Sequence, residues 1–310
     1  MADRKTKPTA ASARSKRAAA RDGKSLLRVS YQGEPGANSH LACREVFADL
    51  EPVACATFED ALAAVKGGEA HYAMIPIENS VAGRVADIHH LLPNAGLHIV
   101  GEHFLRVRHQ LMALPGASLA TVKQALSHTQ ALGQCRNTLR KLGLRAVPEA
   151  DTAGSARIVS ETSDPTLAAI ATALAAEIYG LKILMHDIED EKHNTTRFVI
   201  LANEPDHATA GDGPIVTTFI FRVRNVPAAL YKAMGGFATN GVNMTKLESY
   251  QLDGRFVATM FFSDIEGHPD DPPVARALEE LRFFCTEFKI LGAYKASPYR
   301  AAANKIGDAG

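Results

Sequence analysis

The sequence lacks the features that mark several large classes of protein. Lys and Arg total 34, and so do Asp and Glu, so a net charge of zero gives no basis for binding nucleic acid. No apolar run reaches the roughly 18 residues that a membrane-spanning helix needs. The four cysteines form neither a CxxC pattern nor a tight disulfide framework, and no HExxH or Cys/His cluster is present. These absences predict a cytoplasmic protein with reduced thiols, no metal site and no membrane span.

Residues 1–24 differ from the rest of the chain in composition. Eight Lys and Arg side chains lie among Ala, Ser and Thr, and only Asp3 and Asp22 oppose them. A segment of this composition cannot bury a core, so we predict a disordered basic tail. It has no apolar stretch of the kind a secretory signal requires, and an organelle transit peptide is the alternative interpretation.

Residues 25–203 alternate apolar runs with helical stretches, which is typical of an α/β architecture. Thr57 followed by Asp60 predicts a capping box at the start of a helix. The Ala-rich run 167–179 predicts another helix. Residues 204–214 have the Pro, Gly, Asp and His content of a linker.

A second pattern occupies residues 215–300. Its strands and helices follow the βαββαβ order of ferredoxin-like domains, with a hairpin turn at Asp253 and Gly254. Residues 301–310 are interpreted as a tail. Because this order hosts many activities, the fold alone does not fix the function.

Four short polar segments interrupt the first domain where predicted strands end. They are YQGEPG at residues 31–36, PIENS at 76–80, SHTQALGQC at 127–135 and NTTRF at 194–198. In open α/β sheets, ligands bind outside the carboxyl ends of strands, where loops and helix N-termini converge. Each segment taken alone is weak evidence for a binding site and is better explained by helix capping or strand formation.

In this order and spacing, the four segments resemble those of the prephenate dehydratase family. The resemblance extends from about residue 26 to residue 300. It implies a two-lobed catalytic domain, like type II periplasmic binding proteins, with the active site in the cleft. The lobes would be about 25–107 plus 188–203, and 108–187. The ferredoxin-like domain would be an ACT amino-acid-sensing domain.

The reaction implied by the resemblance removes carbon dioxide and water from prephenate, a dianion, to give phenylpyruvate for phenylalanine synthesis. Such a site orients two carboxylates and donates a proton or hydrogen bond to the departing hydroxyl. The catalytic residues that the family motifs imply are Thr196, Ser127, Gln134, Asn79 and Glu78. The implied substrate-binding residues are Tyr31, Gly33, His128, Arg197 and Phe198. No cofactor is expected.

Several of these roles have alternatives. Thr196 is the best candidate to hydrogen-bond the departing oxygen, either as a general acid or by electrostatic positioning. Arg197 either pairs with a substrate carboxylate or forms a structural ion pair. Glu78 would repel a dianion unless it is protonated or turned away, so we expect a positioning role for it. We expect an orienting role for His128, with general acid catalysis as the alternative.

The ACT resemblance implies an effector and an assembly. L-phenylalanine would bind at two segments that take the place of the family's Gly-Ala-Leu-Val and Glu-Ser-Arg-Pro motifs, although both are altered here. The residues concerned are Pro227, Ala228, Ala229, Leu230, Asn243, Met244, Leu247, Glu248 and Ser249. ACT domains commonly pair edge to edge, which implies a homodimer or homotetramer. The rival functions are arogenate dehydratase, whose substrate carries an ammonium in place of the keto group, and a non-catalytic amino-acid sensor.

Overall fold

Residues 27–251 and 258–307 are described by the structure, a computed structural model. The predicted basic tail at residues 1–24 and the predicted turn at Asp253 and Gly254 lie outside these residues. In the described part of the chain, no helix is both long and apolar enough to cross a membrane.

Strands and helices alternate through the first two-thirds of the chain. The first group of elements is β1 (Arg28–Gln32), α1 (Asn38–Val46), β2 (Glu51–Cys55), α2 (Phe58–Lys66), β3 (Tyr72–Asn79), β4 (Gly83–Arg84), α3 (Ala86–Leu91), a 3₁₀ turn (Leu92–Asn94) and β5 (His98–Arg106). The second group is β6 (Gln110–Ala113), β7 (Gln124–His128), α4 (Thr129–Gln134), α5 (Arg136–Leu142), β8 (Arg145–Glu149), α6 (Thr152–Glu161), β9 (Leu167–Ala171), α7 (Ala173–Tyr179) and β10 (Lys182–Met185). The chain then returns to the first group with β11 (Thr195–Ala202).

These strands form two mixed sheets, one in each lobe. The first has the order β2-β1-β3-β11-β5, with β4 beside β3, and the second has the order β10-β6-β9-β7-β8. The chain crosses to the second sheet after β5 and comes back before β11, so the predicted two-lobed α/β architecture is confirmed. Helix α2 begins with the predicted capping box, in which Thr57 Oγ1 accepts from the Asp60 backbone N–H and the Asp60 side chain accepts from the Thr57 N–H.

The run 167–179, predicted as one helix, is instead the strand β9 followed by the helix α7. Strand β9 lies between β6 and β7 in the second sheet, and Ala168, Ala169 and Ile170 are fully buried there. Helix α6 packs across this strand. Sheet pairing and close packing against small side chains have overridden the helix propensity of alanine.

The C-terminal domain consists of β12 (Ile215–Val223), α8 (Ala229–Thr239), β13 (Met244–Gln251), β14 (Ala258–Glu266), α9 (Pro272–Phe284) and β15 (Cys285–Lys295), followed by α10 (Pro298–Gly307). Its sheet has the order β13-β14-β12-β15, so the predicted βαββαβ order is confirmed. The segment interpreted as a tail from residue 301 is part of α10 as far as Gly307. The domain packs directly on the first lobe, because Ile75 and Ile99 share one core with Ile220 and Phe262.

Candidate active site

A cavity of about 280 Å³ lies in the cleft between the two lobes. It is lined by Gln32, Gly33, Asn38, Ser39, Asn79, His109, His128, Gln130, Gln134, Asp151, Thr152, Asn194, Thr196 and Phe198, with Ala37, Pro76, Val85, Val107 and Ala131. The polar lining is made almost entirely of neutral side chains. Among the described residues, none that lines the cavity is Lys or Arg.

A pair of residues on adjacent antiparallel strands forms one wall. Thr196 of β11 lies opposite Asn79 of β3, and Asn79 Nδ2 donates to Thr196 Oγ1 over 2.9 Å. The orientation of the Asn79 amide is fixed, because its Oδ1 accepts from the backbone N–H groups of Val81 and Ala82 at 3.0 and 2.8 Å. Since Thr196 Oγ1 accepts this hydrogen bond, its own proton is available to a ligand in the cavity.

The same amide begins a chain of hydrogen bonds that crosses to the second lobe. Asn79 Nδ2 also donates to Asn194 Oδ1 at 2.7 Å, and Asn194 Nδ2 donates to Gln134 Oε1 at 2.9 Å. Gln134 Oε1 lies 2.8 Å from His109 Nε2. An amide oxygen can only accept, so His109 must carry its proton on Nε2. The direction of every bond in the chain is thereby determined.

Burial lowers the pKa of His109, and this effect outweighs the hydrogen bond to Gln134 that favours protonation. The imidazole therefore stays neutral at neutral pH and serves as a fixed donor to Gln134. The amide nitrogen of Gln134 has no partner among the described residues, which leaves it free to donate to a ligand.

Helix N-termini from both lobes reach the cavity. Helix α1 follows Ala37, which offers no side-chain cap, and Asn38 and Ser39 in its first turn line the cavity. Backbone N–H groups at an uncapped helix start attract anions. On the opposite lobe, α6 starts after Asp151, whose carboxylate accepts from the Gly154 N–H at 2.6 Å.

Arg197 and Glu78 point away from the cavity. They lie opposite each other, one position along the ladder from Thr196 and Asn79, and therefore face the other side of the sheet. Arg197 is only 2% exposed and donates to Glu78, Glu102, Asp264 and the Tyr294 hydroxyl. Of the two roles considered for Arg197, the structure therefore contains the structural ion pair.

The charges of this buried group are retained in spite of desolvation. Burial opposes the charge of Arg197, but Asp264 and the other acidic neighbours raise its pKa well above the usual value. Burial likewise opposes ionisation of Glu78, but ion pairs with Lys246 and Arg197 outweigh it and lower the pKa. Glu78 thus lies turned away from the cleft, as a positioning role requires.

Two other predicted residues lie outside the cavity lining. Ser127 is fully buried, and its hydroxyl donates to the Ile170 carbonyl over 2.7 Å inside the second lobe. Tyr31 is 1% exposed and stacks on His40 with 5.2 Å between ring centroids. Neither side chain lines the cavity. The structure brings six predicted residues together in the cavity: Asn79, Gln134, Thr196, Gly33, His128 and Phe198.

Sequence reasoning did not select His109 and Asn194 as site residues. Asn194 opens the NTTRF segment, so its place beside Thr196 was a usable signal. His109 belongs to none of the four segments and comes from the crossing between the lobes, so only the three-dimensional fold brings it to Gln134.

The loop before α1 fastens the first lobe to the second. Thr172 Oγ1 donates to the Gly36 carbonyl at 2.5 Å, and the Tyr179 hydroxyl donates to the Pro35 carbonyl at 3.0 Å. Gly36 has a positive φ of 91°, and a Cβ there would lie 2.7 Å from the Ala175 Cα. Only glycine fits this close approach, which holds the two lobes together over the cavity.

No metal-binding arrangement is found within residues 27–251 and 258–307. No group of three or more His, Cys, Asp or Glu side chains there is placed to hold an ion. The cysteines are free, and burial raises the pKa of the Cys43 thiol to about 12. The polar side chains that line the cavity are amides, hydroxyls, the imidazoles of His109 and His128, and the carboxylate of Asp151.

Comparison with known proteins gives a consistent family. Residues 29–206 match the prephenate dehydratase family. The chain is 52% identical over 272 residues to a bifunctional N-acyl-homoserine lactone acylase/prephenate dehydratase of Komagataeibacter europaeus, covering 88% of this chain and 97% of that protein. It is 38% identical over 284 residues to arogenate dehydratase 2 of Petunia hybrida, covering 87% and 72%.

A solved structure resembles the whole described chain. The prephenate dehydratase of Arthrobacter aurescens, solved in complex with L-Phe, is 29% identical and superposes with a TM-score of 0.80. The match covers 91% of this chain and 99% of that chain. The likeness therefore includes the C-terminal domain as well as the two lobes.

Proposed function

This chain belongs to the prephenate dehydratase family, and from that premise we propose that its cleft converts prephenate to phenylpyruvate, carbon dioxide and water. Family membership makes the protein a dehydratase, a carbon–oxygen lyase. The observation that carries the proposal is the Asn79–Thr196 pair, which aims a hydroxyl proton into a cavity lined by neutral donors.

The reaction takes up one proton for each molecule of water that leaves. The bond between the ring and its carboxylate breaks, its electron pair moves into the ring, and the bond from the ring to the hydroxyl oxygen breaks. Thr196 donates to the departing oxygen, and the hydrogen bond that it accepts from Asn79 makes its proton a better donor. A positioned donor of this kind is typically worth about 10²–10⁴-fold in rate.

The absence of Lys and Arg from the described cavity lining suits a decarboxylation. The ring carboxylate loses its charge as carbon dioxide forms, so a strong cation beside it would stabilise the substrate more than the transition state. Neutral amides and the uncapped first turn of α1 can orient a dianion without this penalty. We assign the second carboxylate, which does not react, to the α1 first turn at Asn38 and Ser39.

The choice between prephenate and arogenate depends on which residue faces the group in which the two substrates differ. This group is a keto group in prephenate and an ammonium in arogenate. Asp151 is the acidic residue of the cavity lining, and a carboxylate there could pair with the ammonium of arogenate. The 38% identity to an arogenate dehydratase keeps this substrate as the alternative. The test compares kcat/KM of the purified protein on both substrates, following phenylpyruvate and phenylalanine. Turnover of neither would overturn the proposal.

A second activity is suggested by the 52% identical relative, whose name includes N-acyl-homoserine lactone acylase. We therefore include hydrolysis of an N-acyl-homoserine lactone as a separate arm of the same assay. Release of the fatty acid by wild-type protein supports the second activity. If the protein turns over prephenate but does not hydrolyse the N-acyl-homoserine lactone, its activity is restricted to the dehydratase reaction.

We also propose that the C-terminal domain is an ACT domain that binds L-phenylalanine and that two chains build the site. Within one chain, Pro227 and Ala228 precede α8 and Ala229 and Leu230 begin it, whereas Asn243 and Met244 follow its other end, about 16 Å along an eleven-residue helix. In one chain the length of this helix therefore separates Asn243 and Met244 from the first predicted segment. Two domains paired along the exposed edge strand β13 could supply one segment each.

Calorimetry with L-phenylalanine and light scattering test this proposal together. We expect binding, inhibition of prephenate turnover, and a homodimer or homotetramer. A strictly monomeric protein that binds phenylalanine would contradict the two-chain site. An oligomer without binding would remove phenylalanine as the effector.

A further inference from the structure

Two neighbouring residue pairs in the β3–β11 ladder serve different parts of the molecule. Thr196 and Asn79 face the cavity, whereas Arg197 and Glu78 face the C-terminal domain. Alternation along a strand makes this division unavoidable, because adjacent side chains leave opposite faces of a sheet. Any force that moves Arg197 or Glu78 therefore acts on the same two strands that carry the Thr196 hydroxyl and the Asn79 amide.

Both outward-facing residues are held by ion pairs from the C-terminal domain. Asp264 of β14 lies 2.5 Å from Arg197, measured from Oδ2 to Nη1, and Lys246 Nζ of β13 lies 2.5 Å from Glu78 Oε2. The Tyr294 hydroxyl of β15 accepts from Arg197 Nη2 at 2.9 Å. Three of the four strands of that domain thus contact the back of the catalytic strand pair.

Burial restricts the positions that the Asp264 and Arg197 side chains can take. The side chain of Asp264 is fully buried and that of Arg197 is 2% exposed, so neither charge can turn to water. Thr218 Oγ1 donates to Asp264 Oδ1 at 2.6 Å, which holds the carboxylate in place on its own sheet. Buried charges that lose a partner are strongly destabilised, so Arg197 must follow Asp264.

The packing around the ion pairs leaves little room for sliding. Strand β15 lies against β5, and the backbone at Gly292 approaches the Ile99 carbonyl so closely that a Cβ could not be placed between them. Lys246 is only 8% exposed, and it also lies 3.5 Å from Glu248 on its own strand. A displacement of the C-terminal sheet is therefore passed to β3 and β11.

We propose that Asp264 and Lys246 are positioning residues of the dehydratase reaction, acting from the C-terminal domain through Arg197 and Glu78 on Thr196 and Asn79. The inference rests on the proposed function, because it names the residues that hold that site in its active geometry. Neither residue touches the cavity. Their effect is on the alignment of the proton donor, in which small misplacements are costly.

The experiment uses Asp264→Asn and Lys246→Met in the full chain, with Asp212→Asn as the matched control. Asp212 pairs with Lys295 at an exposed site, 2.5 Å away, so its variant removes an acidic partner outside the network. We expect kcat on prephenate to fall about fivefold or more in the two network variants, with KM changed less than about twofold. The control should keep both constants, and Lys246→Arg should restore kcat.

A double-mutant cycle separates positioning from general loss of structure. In an Asn79→Ala background the hydrogen bond to Thr196 is already missing, so Asp264→Asn should lower kcat much less than in wild type. Folded network variants with wild-type kcat, a loss that is equal in both backgrounds, or an equal loss in Asp212→Asn would each overturn the inference. If Asp264→Asn does not fold, the inference is tested by the kcat values of Lys246→Met and Lys246→Arg, which should be lowered in the first variant and close to wild type in the second. Wild-type protein without prephenate turnover would instead defeat the proposed function.

Discussion

Asn79 donates to Thr196 across two adjacent strands, with 2.9 Å between Nδ2 and Oγ1. The backbone N–H groups of Val81 and Ala82 hold the Asn79 oxygen, so the amide cannot turn round without losing two hydrogen bonds. The threonine hydroxyl is therefore an acceptor towards Asn79 and a donor towards the cavity. This arrangement gives a neutral residue the geometry of a proton donor.

Replacing Thr196 with alanine should lower kcat on prephenate at least about a hundredfold, because the donor to the departing hydroxyl is lost. Thr196→Ser keeps the hydroxyl and should retain most of the activity. Thr286→Ala removes an exposed hydroxyl that donates to the Arg222 carbonyl and serves as the matched control. Steady-state kinetics with a melting curve for each variant are the measurement. A folded Thr196→Ala protein with near wild-type turnover would remove Thr196 from the mechanism.

Asn194 uses both ends of its amide inside the site, since it accepts from Asn79 and donates to Gln134. Asn194→Asp replaces the donor by a second acceptor facing the Gln134 oxygen, so we expect lower kcat and a stability loss of about 1–3 kcal/mol. Asn203→Asp is the matched control, because Asn203 Nδ2 donates to the Val65 carbonyl away from the cavity. The control should leave kcat unchanged. Equal kcat in the two variants would show that Asn194 does not orient the site.

The local and repetitive features of the fold could be predicted from the sequence. The capping box at Thr57 and Asp60 was predictable because its hydrogen bonds join residues three apart. The prediction of a single helix for the Ala-rich run 167–179 was wrong. The first part of the run pairs with β6 and β7, which are distant in sequence, and so forms a strand. His109 was not predictable at all, since its role depends on the chain crossing between lobes next to Gln134.

Strand alternation could have sorted the candidate residues further. Thr196 and Arg197 are neighbours in one extended strand, as are Glu78 and Asn79 in another, so one member of each pair had to face away from the cleft. No local pattern indicates which residues pack against the side of these strands that faces away from the cleft. Asp264 and Tyr294, which fill that side, come from the domain at the far end of the chain.

Gly292→Ala should destabilise the contact between the C-terminal domain and the first lobe. The added Cβ would collide with the backbone of Ile99, which is held in strand β5. We therefore expect the free energy of unfolding to fall by about 1–3 kcal/mol. Gly235→Ala is the matched control, because a Cβ there meets nothing within 4 Å on helix α8. It should gain about 0.5–1 kcal/mol from helix propensity. Denaturant unfolding of both variants is the measurement, and equal stabilities would contradict the close packing.

The ion pairs of Glu78 should make the stability of the protein depend on pH in the acid range. Ion pairs with Lys246 and Arg197 outweigh the effect of burial and lower its pKa from the ordinary value of 4.5. A carboxyl group with a lowered pKa in the folded state stabilises the protein above its unfolded-state pKa. That contribution disappears as the pH falls through the folded-state pKa. At neutral pH, Glu78→Gln should therefore be less stable than wild type.

The difference between the two proteins should begin to shrink as the pH falls below the ordinary value of 4.5, because the Glu78 carboxyl of the unfolded wild-type chain then takes up a proton while that of the folded protein stays ionised. It should disappear as the pH falls through the lower pKa of the folded state. Glu51→Gln is the matched control. Its exposed pair with Arg28, at 2.8 Å, is screened by solvent and should change the unfolding free energy little at any pH. Urea unfolding of the three proteins across this pH range is the measurement. A Glu78→Gln deficit that stays constant into acid would mean that lost packing, and not the ion pairs of Glu78, causes the destabilisation.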